Sequence, residues 1–347
     1  MKKSNLQVVD PTKDGSWDEM LSSWSDATIF HTSMWARTLA SSYGYKCIYV
    51  CDPDRTQLIV PMMEVRSWLT GNRAISLPFT DTCQILLRPS GTIQPFLDYL
   101  KNLAMESRWK YIEFRSGQWP YGEIPHSSYF YVHELELTKG VDQLFKGLRS
   151  STKRNIKKAI KQGVEIQHST SFDSLKEFYR LNCITRKRHG LPPQPFQFFK
   201  NLFKNVIEKG HGVFVMAKYE SRVIASAFFM HFGERAIYKY GASSMELQHL
   251  RPNNLIMWEA ISYFAQKGCK YFHFGRTEPE NKGLLQFKRG WRPEEKIFYY
   301  YKYDVGKRDF VKASSLGSGQ SLTNKIFSKM PISVLRLIGE VLYPHVA

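Results

Sequence analysis

The sequence is short of cysteine, of acid and of long apolar runs, and each shortage excludes a class of protein. Five cysteines, Cys47, Cys51, Cys83, Cys183 and Cys269, stand among 347 residues. Their number is odd, none forms a CxxC pair, and none lies at a metal-ligand spacing from a histidine. A disulfide framework and a zinc site are therefore not expected, and a reducing cytosol suits the chain best. No apolar run reaches the ~18 residues of a membrane-spanning helix. The N-terminal stretch carries Lys2 and Lys3 but no apolar segment, so no signal peptide is expected. Acid is scarce: 31 Asp and Glu face 49 Lys and Arg, giving +18 and a pI near 9.6. Such a surface attracts polyanions, whether nucleic acid, anionic lipid or phosphorylated substrate, and charge alone does not choose among them.

What is present is enough apolar material for large cores, 43% of residues with 14% aromatic. The length is comfortable for two domains. Residues 17–43 read as a helical opening. Strands follow at Lys46–Cys51, Gln57–Val65 and Arg73–Leu77, then an amphipathic helix over 92–107 and strands at Trp109–Arg115 and Tyr129–Leu137. The second half repeats the order, with strands at Val213–Tyr219, Val223–His231 and Arg235–Tyr240, a helix over Asn254–Gln266 and a strand at Lys270–Phe274. Lys110–Arg115 (KYIEFR) and Lys270–Phe274 (KYFHF) correspond at an offset of 160 (270 − 110). Two hairpins, a third strand, a helix and a fourth strand, twice over, predict an internal duplication. The expected limits are 1–140 and 141–305, with 306–347 as linker and apolar tail.

Between the halves, Lys146–Gly163 holds Lys146, Arg149, Lys153, Arg154, Lys157, Lys158 and Lys161 and no acid. Ser150 or Ser151 is placed to cap a helix, and Ile156, Ala159 and Ile160 to give it an apolar face. Cations without i,i+4 acids repel one another, which favours an anion-facing helix over a merely solvated one. Near the C-terminus, Ala313–Leu322 reads as a flexible linker. After it, Ile332, Val334, Leu335, Leu337, Ile338, Val341 and Leu342 form a wide apolar helical face, to lie on a membrane surface or to dock on the body.

The stretch Lys270–Trp291, KYFHFGRTEPENKGLLQFKRGW, is the expected centre of function. It reads as a strand that breaks at Gly275, a polar loop, an apolar turn led by Gly283, and Phe287-Lys288-Arg289-Gly290-Trp291. Charged and amide groups at a strand end are what a ligand site needs. Together with LRSSTKRNIKKAIKQGVEI, YKYGASS, RPNNLIMWEAI and SLPFTDTC, it resembles the FemABX-like branch of the GNAT acyltransferase superfamily over roughly residues 25–305. The resemblance implies a mixed α/β fold of two GNAT-like domains. It also implies transfer of an acyl or aminoacyl group onto an amine, with aminoacyl-tRNA as donor in the cell-wall enzymes. The chain lacks the long helical hairpin that some of those enzymes carry, and it adds the apolar tail. The acceptor implied is an amine-bearing envelope precursor of peptidoglycan or exopolysaccharide, met in the cytoplasm or at the inner face of the membrane.

Direct transfer needs a deprotonated amine, aligned reactants and a stabilised oxyanion, but no covalent enzyme intermediate and no cofactor. The resemblance puts Phe287 and Lys288 at the reaction centre, the ammonium facing an oxyanion or a donor phosphate; alternatively Lys288 is a surface lysine. Asp81 is a candidate to take the amine proton or an Asx-turn cap. Arg276, Glu278 and Asn281 would line the same pocket, with Tyr240 offering a hydroxyl. Arg251, Asn253 and Asn254 open a helix whose N-terminus suits an anion. That turn has no glycine, which argues against coenzyme A. His31, Trp35 and Arg37 are expected near the acceptor, and Arg154 and Lys158 on a phosphate-bearing ligand. Two other functions stay open: a conventional acyl-CoA N-acyltransferase and a non-catalytic polyanion-binding module.

Overall fold

The structure is a computed structural model that describes residues 6–88, 94–120, 123–312 and 322–346. Grouped by compactness, the chain forms two units. Unit 1 comprises Met1–Phe130, Ile297–Gly317 and Leu342–Ala347, and unit 2 comprises Tyr131–Lys296 and Ser318–Val341. The linear limits at 140 and 305 remain our proposal for the duplicated halves.

In unit 1, strands β1 (Met63–Val65) and β2 (Arg73–Ile75) pair antiparallel. Helix α1 (Gln94–Glu106) then carries the chain over to β3 (Tyr111–Phe114), which lies parallel to β2. Parallel neighbours need such a crossover. Phe96, Leu97, Leu100 and Ala104 of α1 are buried against Ile112 and Phe114, so the helix exists because its apolar stripe has a sheet to cover. A smaller sheet joins Gln7–Val9, Tyr49–Cys51, Leu58–Val60 and Leu86–Leu87.

Unit 2 begins within β4 (Ser128–Glu136). It continues through α2 (Ser150–Lys161), β5 (Glu165–Ser169), α3 (Phe172–Arg188), β6 (Gly212–Tyr219), β7 (Arg222–Phe232), β8 (Arg235–Ser243), α4 (Pro252–Gln266), β9 (Tyr271–Thr277) and α5 (Lys282–Arg289). The strand order is β5-β6-β7-β8-β9-β4. Leu255, Ile256, Ala260, Ile261 and Phe264 of α4 fill the core beneath β6, β7 and β9. The next strand, β10 (Glu294–Asp304), pairs with β3 of unit 1 from Tyr301↔Phe114 to Asp304↔Tyr111.

The duplication is visible in register. β2 runs parallel to β3 with Arg73↔Tyr111 and Ala74↔Ile112, and β8 runs parallel to β9 with Arg235↔Tyr271 and Ala236↔Phe272. In both halves the third strand also has an antiparallel neighbour on its other side, β1 or β7.

Four expectations need correction. β9 does not break at Gly275 but runs to Thr277. The apolar turn led by Gly283 is the helix α5. Neither Ser150 nor Ser151 caps α2; its N-cap is Arg149, with no side-chain bond. Ile160 is 58% exposed, leaving Ile156 and Ala159 as the buried face of α2. The linker expected over Ala313–Leu322 lies outside the described residues, save that α6 (Leu322–Lys329) starts at Leu322. After α6, the tail forms α7 (Ile332–Leu342). Its inner side is docked on unit 2: Leu335 is buried, and Gly339 lies so close to the Pro193 carbonyl that no Cβ fits. Among the described residues no helix is long and apolar enough to cross a membrane.

Candidate active site

The site in unit 2 begins where a ladder stops. β8 and β9 pair at Arg235, Ala236 and Ile237 only, although β8 continues to Ser243 and β9 to Thr277. Past that point the parallel register of the two strands ends. On its other side β9 pairs with β4, but the register shifts between His273 and Arg276. Gly275 sits in this bulge at φ +72°, a conformation that costs glycine little and other residues more. Its N–H donates to His273 Nδ1 at 3.0 Å. Its carbonyl accepts from Lys288 Nζ at 2.8 Å, and the Arg276 carbonyl accepts from the same Nζ at 3.1 Å.

Lys288 is therefore no surface lysine in a turn. It lies on the last turn of α5, 2% exposed, with its ammonium seated on the bulge. Asn281 sets the start of that helix, its side chain accepting from Leu284 N–H at 3.2 Å. Asn281 thereby caps the helix, and its role at a ligand stays a proposal. Phe287 packs edge-on against Trp291, ring centres 5.8 Å apart, at the margin of the core.

Opposite the bulge stands His133, between Val132, which pairs Arg276, and Glu134, which pairs His273. It is fully buried. His133 Nε2 is 2.7 Å from the Glu295 carboxylate, and Arg289 Nε and Nη2 donate to the same carboxylate at 2.6 and 2.7 Å. His133 Nδ1 has no hydrogen-bond partner. Burial pulls the imidazole below its ordinary value of 6.5, the Glu295 bond opposes this, and the nearby Lys288 charge adds to it. The Arg289 bonds hold the Glu295 carboxyl below its usual range. Sequence reading missed this chain, because a lone histidine in an alternating strand carries no signal of its own.

The other expected residues are distributed as follows. Arg276 is partly exposed, with its guanidinium 4.0 Å from the Glu278 carboxylate. Tyr240 lies among Phe178, Phe198 and Phe199, with Lys239 over its ring at 5.2 Å. Arg251 precedes α4 in the left-handed region (φ +62°), Asn253 Nδ2 donates to Ser243 Oγ at 3.3 Å, and Asn254 is half-buried. Arg154 and Lys158 project from the exposed side of α2, whose inner side packs on α4.

Asp81, Trp35, His31 and Arg37 belong to unit 1. Trp35 is fully buried, edge-on to Phe30 at 5.0 Å, and so is a core residue rather than a ligand contact. His31 is structural: Nδ1 accepts from Thr28 N–H at 3.0 Å and Nε2 meets the Gln84 carbonyl at 3.0 Å. Arg37 donates to the Thr12 carbonyl at 2.8 Å. Asp81 follows a strained turn in which Leu77 and Phe79 both have positive φ. The buried Arg115 donates to the Leu77 carbonyl at 3.2 Å, and Tyr300 OH donates to the Asp81 carbonyl at 2.8 Å. Strain held by buried bonds is typical of functional turns. A cavity of about 440 Å³ in unit 2 is lined by Glu134, Glu136, Trp291, Arg292 and others, and none of the expected site residues lines it.

Comparison with known proteins agrees with this architecture. Residues 146–289 match the acetyltransferase (GNAT) domain family. The crystal structure of FemX superposes with a TM-score of 0.65 at 14% identity, covering 85% of this chain and 96% of that one. A tandem GNAT protein from the clavulanic acid biosynthesis pathway superposes with a TM-score of 0.55 at 10% identity, covering 87% and 98%. Among curated proteins, the lipid II:glycine glycyltransferase of Staphylococcus haemolyticus is 19% identical over 50% of this chain and 57% of its own length. The UDP-N-acetylmuramoylpentapeptide-lysine N(6)-alanyltransferase of Weissella viridescens is 24% identical over 38% and 39%. The matched regions thus span about half the length of the first relative or less. The fold is that of tandem GNAT structures, and residues 146–289 carry the GNAT domain match. Within that class the likenesses support the FemABX-like branch.

Proposed function

We propose that the protein transfers an acyl or aminoacyl group onto an amine of a cell-envelope precursor. The observation that carries this reading is Lys288: a buried ammonium seated on the β9 bulge, just past the end of the β8–β9 register, within the GNAT-matched residues. In the reaction the amine nitrogen bonds to the activated acyl carbon and the ester or thioester bond breaks. The amine gives up a proton and the leaving oxygen or sulfur takes one. A fixed cation in a water-poor site stabilises the charge that develops on the acyl oxygen. His133, Glu295 and Arg289 tie β4 to the end of α5 and so steady the helix that carries Lys288. For unit 1 taken by itself, Asp81 is our candidate for a contact with an amine.

An aminoacyl ester is the favoured donor. Glycyl and alanyl transfer by the relatives supports an aminoacyl group, and the basic side of α2 and the glycine-free turn before α4 support a tRNA ester over coenzyme A. We place the protein peripherally at the inner face of the membrane. The outward side of α7, with Leu337 64% and Val341 61% exposed, supports that place.

The test is direct. The protein is incubated with labelled glycyl- and alanyl-tRNA and, separately, with labelled acetyl-CoA, each with a lysine-containing peptidoglycan precursor. Label from tRNA in the precursor is the expected result. Label only from acetyl-CoA replaces the donor, and no transfer from either sinks the enzyme reading.

A further inference from the structure

In unit 1, one turn leaves a tryptophan in water. Trp68 is 82% exposed and the adjacent Leu69 50%. The turn that carries them is not slack. Ser67 Oγ accepts from the N–H groups of Leu69 at 3.2 Å and Thr70 at 2.9 Å, and Gly71 N–H donates to the Ser67 carbonyl at 2.8 Å. The end of the chain braces it. The His345 carbonyl accepts from Thr70 Oγ1 at 2.9 Å and from Arg73 Nη2 at 2.7 Å. His345 Nδ1 lies 3.1 Å from Ser67 Oγ, and its ring meets Trp68 edge-on at 5.2 Å. Six hydrogen-bonded contacts thus hold two apolar side chains out into solvent.

The surroundings are cationic. Arg66 is 72% exposed beside the turn, and its partner Glu64 is buried, shared with Trp109 Nε1. The exposed Lys110 lies along Gly71, its Nζ 3.5 Å from the Thr70 carbonyl. A rigid indole tip with cations behind it matches the bilayer interface, where tryptophan settles at headgroup level. Lysine and arginine near an anionic leaflet strengthen such attachment. Two side chains on a tip are also too small for a stable protein interface, which buries about 1,200–2,000 Å².

We infer that the Trp68–Leu69 turn inserts into the interfacial layer of an anionic membrane and is a point of lipid attachment in unit 1. This rests on the peripheral location proposed above but not on the transfer chemistry. The test is sedimentation of the full-length protein with phosphatidylcholine vesicles, with and without phosphatidylglycerol. The parent is expected to bind the phosphatidylglycerol vesicles. Trp68→Ser should weaken that binding about tenfold or more with an unchanged thermal melt, as for loss of one buried interfacial ring. Arg66→Gln with Lys110→Gln should weaken it in low salt and little in high salt. A parent that binds neither vesicle overturns the peripheral location itself. A parent that binds while Trp68→Ser binds equally well overturns only the assignment of the turn. A parent that is dimeric in sedimentation velocity, and monomeric as Trp68→Ser, makes the turn a contact between two copies and also overturns it.

Discussion

At the scale of single residues, Lys288 is the side chain on which the chemistry turns. Removing it withdraws charge from the site and leaves the Gly275 and Arg276 carbonyls short of a donor. The second effect costs about 1–3 kcal/mol of stability. Lys288→Met is therefore expected to lower the melting temperature and to reduce turnover by about a hundred- to a thousand-fold, the usual cost of one such donor. Lys288→Arg should recover little, because a planar guanidinium does not fit a slot cut for an ammonium. Turnover at parent level in folded Lys288→Met would reduce the residue to a structural one. Two histidines shielded from water give a second prediction. Burial lowers His133, and partial burial takes His231 from 6.5 to about 4. A depressed histidine resists protonation in the folded state while the unfolded chain accepts it. Its contribution is complete above about pH 6.5 and is lost as pH falls through the folded value. Thermal melts should hold steady above about pH 7 and fall steadily toward pH 4. His231→Gln should flatten the lower part of that slope. A parent profile flat across the whole range contradicts the assignment.

At the scale of elements, the strands and helices of the duplicated halves were legible because their periodicities are strong and repeat. Two features at the site were not. Gly275 reads as a strand breaker, yet β9 absorbs it as a bulge, and only pairing with β4 reveals that. The stretch led by Gly283 reads as an apolar turn, yet the Asn281 cap and buried Leu285 and Lys288 make it part of the helix Lys282–Arg289. Tertiary partners decided both. The tail was legible as amphipathic but not as docked, since the Pro193 contact is invisible in sequence. Gly339→Val places a branched side chain against that carbonyl and is expected to cost about 1–3 kcal/mol and expose α7 to limited proteolysis. An unchanged cleavage pattern would show that α7 is not held there. The exposed cations of α2 were legible directly. Arg154→Ala with Lys158→Ala should weaken tRNA binding and shallow its salt dependence by close to two phosphate contacts. An unaltered salt slope makes them a solvated face.

At the scale of the whole molecule, the linear order of the halves and the compact units do not coincide at β10. The unit 1 core contains Tyr301 and Tyr303, 4% and 6% exposed, packed with Ile112 and Phe114 although they lie far along the chain. β10 also supplies the antiparallel neighbour of β3 through four residue pairs. A fragment ending at residue 140 lacks both. Burial of each large apolar side chain is worth about 1.5–3 kcal/mol, and an ordinary domain has only about 5–15 kcal/mol in all. The first half expressed alone over 1–140 is therefore expected to melt without a cooperative transition and to bind a hydrophobic dye. A version with the segment 294–312 joined through a flexible linker should regain the transition. A sharp melt for 1–140 alone would show that the half is self-sufficient and that β10 is an accessory to its core.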